Sequence, residues 1–97
     1  MYKDLISYEL ADGVSKEKLL TIASKIIESW MSKQEGFVKW EIHQDVDTDG
    51  YTDIVYWENV EAAKKAEKDM GNIPNADAWY GCYKEGSISA KHLNKIM

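Results

Sequence analysis

The 97-residue sequence contains no arginine, so all twelve of its basic residues are lysines. Seventeen acidic residues outnumber them, which leaves a net charge of -5. Nucleic-acid backbones are bound by clustered basic side chains, and the lysines here are dispersed along an acidic chain. We therefore expect no nucleic-acid partner. The planar guanidinium fork is also missing, so an anionic ligand has to be held by lysines or backbone amides.

Cysteine occurs once, at Cys82, which excludes an internal disulfide and a zinc site built from several cysteines. We interpret Cys82 as a small hydrophobic residue of a protein in a reducing compartment. No apolar run approaches the roughly 20 residues that span a bilayer, and the first residues do not resemble a signal peptide. These absences predict a cytoplasmic protein without a membrane partner.

The sequence is rich enough in apolar residues to fold. Hydrophobic residues make up 44% of the chain and aromatic residues 11%. The length predicts one domain over residues 1–97, and a domain this small buries only about 65% of the surface of its unfolded chain. A second subunit would therefore stabilise it.

Hydrophobic periodicity predicts the element order β-α-β-β-α-β. A first strand over residues 2–10 is followed by a helix capped by Ser15, and Asn59 caps a second helix that ends near Gly71. Pro74 precedes a short helical turn over residues 75–80. A last strand is predicted over residues 83–90, with residues 91–97 as a tail. This order is that of the ferredoxin-like α+β fold, a four-stranded antiparallel sheet with both helices on one face.

The hairpin of residues 37–46 and 51–57 decides which side chains share a face of the sheet. A three-residue connection, with a left-handed glycine at position 50, pairs Asp45 with Asp53, His43 with Val55 and Glu41 with Trp57. The predicted helix-covered face is apolar and carries Val38, Trp40, Ile42, Ile54 and Tyr56. The predicted opposite face is mixed and carries Phe37, Lys39, Glu41, His43, Asp45, Tyr51, Asp53, Val55 and Trp57.

Aromatic side chains on a sheet face without helices predict that another surface covers them. A second copy of the same sheet does this through a two-fold contact, which makes the protein a homodimer. The polar groups of that face would then line an enclosed cavity for a small molecule.

Two segments carry a resemblance to a known family. Gln34-Glu35-Gly36-Phe37-Val38 leads into the second strand, and the segment from Gly50 to Asn59, GYTDIVYWEN, leads into an alanine-rich helix. In these segments, and over residues 3 to about 90, the chain resembles the dimeric α/β barrel proteins of the antibiotic biosynthesis monooxygenase type. The resemblance implies a dimeric ferredoxin-like fold with a substrate cavity.

The best understood members of that family are cofactor-independent monooxygenases. In them an amide residue on the third strand, and a tryptophan four positions later, line the cavity beside a tyrosine and an arginine. Asp53 and Trp57 match this strand pair by spacing. Aspartate replaces the amide, Ala63 stands near the expected tyrosine, and the arginine is absent.

Oxygenation of a phenolic substrate needs a base, a water-excluding cavity and groups that orient the ring, but no metal or other cofactor. We predict that His43 and Asp53 are catalytic, with His43 as the base, since neighbouring carboxylates can tune its pKa. Aromatic stacking makes Trp57 and Tyr51 candidates for substrate binding. Two more substrate-binding candidates lie on the same predicted face, Glu41 and Phe37.

Other interpretations remain open at the sequence level. The same cavity fits a non-catalytic ligand-binding or stress-response protein, or a structural dimer whose side chains fill it. A strand histidine among carboxylates is also typical of a solvated surface, and Asp45, Asp53 and His43 form a weak candidate metal site. Haem-degrading relatives use a histidine on the second helix, where this chain has none.

Overall fold

The structure, a computed structural model, describes residues 1–97 and contains four strands and three helices. The strands are β1 (Tyr2–Tyr8), β2 (Phe37–Gln44), β3 (Tyr51–Trp57) and β4 (Ser89–Asn94). The helices are α1 (Lys16–Ser29), α2 (Val60–Lys68) and α3 (Ala76–Tyr80). Neighbouring strands are antiparallel in the order β2-β3-β1-β4, which confirms the predicted ferredoxin-like α+β fold.

The two longer helices begin where the sequence supplies a capping oxygen. Ser15 Oγ accepts a hydrogen bond from the Lys18 backbone N–H at 3.1 Å, and Asn59 Oδ1 accepts one from the Ala62 N–H at 2.9 Å. Both predicted helix starts are confirmed. No helix is both long and apolar enough to cross a membrane.

The helices pack on the sheet through two clusters of buried side chains. The larger cluster contains Trp30, Trp57 and Trp79, together with the small side chains Ala63 and Ala66 of α2. Alanines leave space between a helix and the sheet below it, because they project only a methyl group. The smaller cluster is centred on tyrosine, leucine and cysteine side chains and comprises Tyr8, Leu19, Tyr51 and Cys82.

The predicted hairpin register is wrong, because the connection between β2 and β3 is longer than three residues. Residues 45–50 form the loop, which the Asp45 N–H closes on the Gly50 carbonyl at 2.9 Å. The Asp45 carboxylate accepts hydrogen bonds from Thr48 Oγ1 at 3.1 Å and from Thr52 Oγ1 at 2.9 Å. Gly50 does not adopt a positive φ. Side chains of the loop, rather than a left-handed glycine, therefore set the register.

The register change moves half of the hairpin to the other face. Glu41 pairs with Ile54 rather than with Trp57, so the pairing is shifted by three residues. Side chains alternate between the two faces of a strand, and a shift by an odd number therefore puts the side chains of β3 on the face opposite to the predicted one. Burial alternates along β3, and its most buried residues are Tyr51, Asp53, Val55 and Trp57. These four lie under the helices together with Trp40 and Ile42.

The last strand also differs from the predicted one. Tyr83 forms only an isolated bridge with Leu10, and Gly86 (φ +82°) lies in a turn closed by the Ser87 N–H on the Lys84 carbonyl. This turn delays β4 to Ser89–Asn94, where it pairs with β1. Residues 91–94 of the predicted tail are therefore strand, which brings residue 92 to the sheet.

Candidate functional site

A cavity of about 310 Å³ lies between the helices and the sheet. This volume falls at the lower end of the range of small-molecule pockets. Its sheet wall consists of Tyr2, Asp4, Ile6, Trp40, Asp53, Val55, Trp57, Ala90 and His92. Its helix-side wall consists of Trp30, Met31, Ala63, Lys64, Ala66, Glu67, Met70 and Trp79. The cavity thus combines aromatic walls with a few ionisable groups.

Asp53 is the most buried ionisable group of the cavity, at 1% exposure. Its Oδ1 accepts a hydrogen bond from the Tyr8 hydroxyl at 2.7 Å, and its Oδ2 accepts one from the Trp40 indole Nε1 at 3.1 Å. Each oxygen keeps a second lone pair, since a carboxylate offers about four acceptor positions. The carboxylate is therefore held in place and can accept a further proton or hydrogen bond.

Burial raises the pKa of Asp53 to about 6, against its ordinary value of 3.8. The hydrogen bonds from Tyr8 and Trp40 favour the carboxylate and limit this rise. Burial and the neighbouring Asp53 also raise the pKa of Tyr8, so that its hydroxyl keeps its proton as a donor. A carboxylate with a pKa near the working pH is suited to act as a general base.

Two tryptophans of the cavity wall have indole N–H groups without a protein partner. Trp57 is 3% exposed and Trp79 is 8% exposed, and neither Nε1 donates a hydrogen bond within the chain. Buried donors without a partner are rare and costly in native proteins. Both indoles line the cavity, so an acceptor atom of a ligand can satisfy them there.

A second polar cluster lies in the cavity wall on β1 and β4. Asp4 Oδ1 accepts a hydrogen bond from the Tyr2 hydroxyl at 2.7 Å and lies 2.7 Å from His92 Nδ1. The Tyr2 ring is nearly parallel to the imidazole, at a centroid separation of 6.3 Å. Burial and the adjacent Asp4 raise the pKa of Tyr2 to about 12. The cavity histidine is therefore His92.

His43 lies on the other face of the sheet, so its predicted convergence with Asp53 is wrong. It pairs with Thr52 and is exposed, and its Nε2 lies 3.2 Å from Glu41 Oε1. Glu41 also accepts a hydrogen bond from the Tyr56 hydroxyl at 3.0 Å. His43 and Glu41 lie on the helix-free face as predicted, whereas the observed register places Asp53 and Trp57 on the opposite face, beside the cavity under the helices.

The remaining predicted site residues divide between the cavity and its surroundings. Trp57 and Asp53 line the cavity, whereas Phe37 packs edge-on against the Trp57 ring at 5.7 Å. Tyr51 is stacked on Tyr8 in the smaller buried cluster, behind Asp53. The candidate metal site is not assembled, since Asp45 is bound within the hairpin loop and does not face Asp53.

A larger depression of about 540 Å³ lies between α2 and residues 33–35. Its lining is mostly polar, and the ion pair between Lys65 Nζ and Glu35 Oε2 at 2.8 Å crosses it in full contact with solvent. No buried ionisable group faces this depression. The chemistry of the cavity under the helices makes that cavity the candidate site.

No protein-family model matches the sequence, and no curated protein matches it. Several solved structures, however, share its fold. SnoaB, a cofactor-independent oxygenase from Streptomyces nogalater, gives a TM-score of 0.77 at 15% identity, over 99% of this chain and 93% of that one. A monooxygenase from the gene ActVA-Orf6 of Streptomyces coelicolor, in complex with nanaomycin D, gives a TM-score of 0.72 at 14% identity. The match covers 97% of this chain and 86% of that one. A protein of Nitrosomonas europaea, provisionally named an antibiotic biosynthesis monooxygenase, gives a TM-score of 0.66 at 10% identity, and the match covers the whole of both chains.

These similarities cover nearly all of each chain, while identity in the three pairs does not exceed 15%. The chain has the fold of the antibiotic biosynthesis monooxygenases. At this identity the likeness concerns the fold and not the activity. Within the antibiotic biosynthesis monooxygenase fold, Asp53 and Trp57 line the cavity, four positions apart on β3. Ala63 lies in the helix wall, where the resemblance implies a tyrosine.

Sequence reasoning missed the roles of Tyr8, Asp4 and His92. One signal in the sequence could have indicated Asp4. Asp4 and Asp53 are acidic residues at strand positions whose alternate neighbours are apolar and face the core, and a buried acidic residue is unusual. Nothing in the local sequence indicated that His92 belongs to a strand, because β4 is exposed throughout and lacks apolar alternation.

Proposed function

We propose that this protein is a cofactor-independent monooxygenase that acts on a small phenolic or enolic aromatic substrate. The observation that carries this proposal is the buried Asp53 carboxylate, whose pKa is raised to about 6 inside a cavity walled by tryptophans. Such a group removes a phenolic proton near neutral pH. The resulting anion reduces molecular oxygen without a metal or a flavin.

The cavity supplies the other requirements of this chemistry. Trp40 and Trp57 provide flat surfaces beside Asp53, and the unpartnered indole N–H of Trp57 offers a donor to a phenolate or carbonyl oxygen. Asp53 and Trp57 are only 1% and 3% exposed, and such burial strengthens the electrostatic stabilisation of an anion held between them. Asp53 and Trp57 thus have complementary roles. Asp53 takes the proton of the substrate hydroxyl, and the Trp57 indole N–H donates to the oxygen from which that proton was removed.

Replacement of Trp57 by phenylalanine tests the donor role. Trp57→Phe keeps an aromatic ring and removes the indole N–H, and one hydrogen bond to an anionic oxygen is worth about 1.5–3 kcal/mol. We expect an anthrone-type phenol to bind about tenfold or more weakly, measured by fluorescence titration without oxygen. Trp30→Phe is the control, since its Nε1 already donates to Asp69 Oδ2 at 2.8 Å. Equal losses in both variants would refute a specific donor at Trp57.

We further propose that the protein works as a homodimer joined through the helix-free face of the sheet. This face carries the apolar side chains Leu5, Ile54 and Leu93 around Tyr56, and none of them is fully buried. Lys3 and Lys39 lie over the Tyr56 ring at 5.6 and 4.6 Å, and Glu41 lies beside them. A two-fold contact brings the lysines of one copy to the glutamate of the other, so the face is complementary to itself.

A charge placed at the centre of this face is expected to separate the subunits. Leu5 pairs with Ile54 on one side and with Lys91 on the other, so Leu5→Glu places a carboxylate in the middle of the contact. Sedimentation should change from about twice 11.1 kDa to a single chain. Leu20→Glu on α1, where the leucine is 44% exposed, should leave the dimer intact. A wild-type protein that sediments as a monomer at micromolar concentration would contradict the proposal.

A non-catalytic ligand-binding protein is the alternative function. It is favoured by the absence of the tyrosine and the arginine that the family resemblance implies, since Ala63 stands in the helix wall and the chain has no arginine. Oxygen consumption with an anthrone-type phenol distinguishes the two functions. A protein that binds the phenol tightly, but leaves its oxidation at the uncatalysed rate, is a binding protein.

A further inference from the structure

His92 has the geometry of an oriented acid–base group. A carboxylate only accepts hydrogen bonds, so the 2.7 Å contact between Asp4 Oδ1 and His92 Nδ1 requires the proton on Nδ1. In a neutral imidazole this leaves Nε2 as the basic nitrogen. No protein group forms a hydrogen bond with His92 Nε2, and His92 lines the cavity. A carboxylate–imidazole pair of this kind orients the histidine of many acid–base sites.

Tyr2 also holds the imidazole of His92 in its orientation. Its hydroxyl donates to the same oxygen of Asp4 and lies 3.0 Å from His92 Nδ1, and its ring is parallel to the imidazole within 7°. Tyr2 is 8% exposed and belongs to the larger core cluster, so the ring is a rigid support. The side chain of His92 is 65% exposed, so it can exchange protons with solvent.

Other charged groups face this pair from the elements packed around it. Lys64 and Glu67 of α2 line the same cavity, and Asp53 lies on β3 on the same face as Asp4. Asp4 pairs with Val55, two residues from Asp53. Diagonal neighbours of this kind lie about 7–8 Å apart between strands. His92 lies on β4, one strand of about 4.8 Å beyond Asp4, so a fused-ring substrate that extends across β1 can reach both acid–base groups at once.

We propose that His92, oriented by Asp4 and Tyr2, is a second catalytic residue of the cavity and protonates the oxygen-derived group of the reaction intermediate. This inference rests on the proposed oxygenase function. It assigns the two proton transfers of the reaction to different groups, with Asp53 as the base and the imidazolium of His92 as the acid.

The steps balance for a substrate with a reactive CH₂ carbon conjugated to a phenol. Asp53 takes the proton, and the carbanion form of the substrate gives electrons to O₂ and forms a C–O bond, which produces a peroxide anion. His92 delivers a proton from Nε2 to this anion and gives a hydroperoxide. Loss of the second carbon-bound proton breaks the O–O bond, so that one oxygen atom stays as a carbonyl and the other leaves as water.

Replacement of His92 by glutamine tests the acid role. His92→Gln should lower kcat by about 100-fold with KM changed less than about threefold, since a general acid typically contributes 10²–10⁴-fold. His43→Gln makes the same chemical change on the other sheet face, outside the cavity, and should keep kcat within about threefold of the wild type. In His92→Ala, added imidazole should restore at least about a tenth of the lost rate, because a structural role is not rescued by a free base. Unchanged kcat in His92→Gln, with an active wild type, would overturn the inference and leave the proposed function standing.

A measurement without turnover separates the inference from the proposed function. In His43→Gln the only histidine is His92, and ¹⁵N NMR of its ring should show the Nδ1–H form. Asp4→Ala should abolish this preference. Saturation with 1-hydroxyanthraquinone, which oxygen does not oxidise further, should shift the Nε2 signal. If oxygenation is absent but the shift occurs, the oxygenase proposal fails and His92 remains a ligand-contacting group. An unshifted Nε2 signal in the saturated protein would exclude His92 from the site.

Discussion

Asp53→Asn should lower the turnover of an anthrone-type phenol by at least about 100-fold while the variant still binds the phenol. The amide keeps the shape of the carboxylate but cannot take a proton, and a positioned general base contributes about 10²–10⁴-fold. Hydrogen bonding can be preserved, because the amide oxygen accepts from Trp40 and the amide nitrogen donates to the Tyr8 oxygen. Steady-state kinetics and a binding titration measure the two effects separately.

The pH dependence of turnover identifies the base. Wild-type kcat/KM should fall about tenfold per pH unit below about 6, because the pKa of Asp53 is raised to about 6 by burial and only the carboxylate is active. In Asp53→Asn this acidic limb should disappear from the residual rate. A wild-type profile that stays flat between pH 5 and 7 would contradict Asp53 as the base.

The same substitution should stabilise the fold. Because the pKa of Asp53 is higher in the folded chain than in the unfolded chain, the folded state binds more protons between pH 3.8 and about 6. Wild-type stability therefore falls as the pH rises through this window. The difference between the folded and unfolded pKa values corresponds to a loss of about 3 kcal/mol in the free energy of unfolding. At pH 7 we expect Asp53→Asn to unfold with a free energy about 2 kcal/mol higher than the wild type.

Urea denaturation at pH 4 and pH 7 checks this expectation. The advantage of Asp53→Asn should be present at pH 7 and nearly absent at pH 4, where the wild-type carboxyl group is largely protonated in the folded state and the charge is no longer buried. Asp45→Asn is the matched control, because Asp45 lies in the hairpin loop and outside the cavity. A loss of stability in Asp53→Asn at pH 7 would show that the hydrogen bonds, rather than burial of the charge, dominate at this position.

The fold was predictable from the sequence because its signals are local. The caps at Ser15 and Asn59, and the short helix after Pro74, lie within a few residues of what they specify. The hairpin register depends instead on which side chains bind inside a loop. Asp45 there accepts two threonine hydroxyls, and this arrangement has no short sequence signature.

The candidate site was predictable only in part, for the same reason. Asp53 and Trp57 are correctly placed together because their spacing within one strand is insensitive to register. Their face was predicted wrongly, because displacing the pairing by an odd number of residues reverses β3 against β2, so Asp53 and Trp57 lie under the helices while His43 stays on the helix-free face. His92 was not predicted because the pairing of β4 with β1 joins residues almost the full chain length apart.

Gly36→Ala should destabilise the protein by about 3 kcal/mol, which lowers the melting temperature by about 15 °C in a domain of this size. Gly36 has a φ of +81°, and its carbonyl accepts the Glu58 N–H at 2.8 Å, which holds the chain against the start of α2. A Cβ atom at this position would meet the Ala62 Cβ at 2.5 Å. Left-handed strain and steric overlap therefore both act, and each costs about 1–2 kcal/mol or more.

Two controls separate the strain from the overlap. Gly13 has a φ of +80°, and an alanine Cβ there would have no atom within 4 Å, so Gly13→Ala should cost only about 1 kcal/mol. Adding Ala62→Gly to Gly36→Ala removes the opposing methyl group and should recover about 1–2 kcal/mol in a double-mutant cycle, measured by urea denaturation. Equal losses in Gly36→Ala and Gly13→Ala, with no coupling to Ala62, would contradict a close approach between the β2 lead-in and α2. Because α2 forms one wall of the cavity, that outcome would also place its alanines farther from the sheet than the proposed site requires.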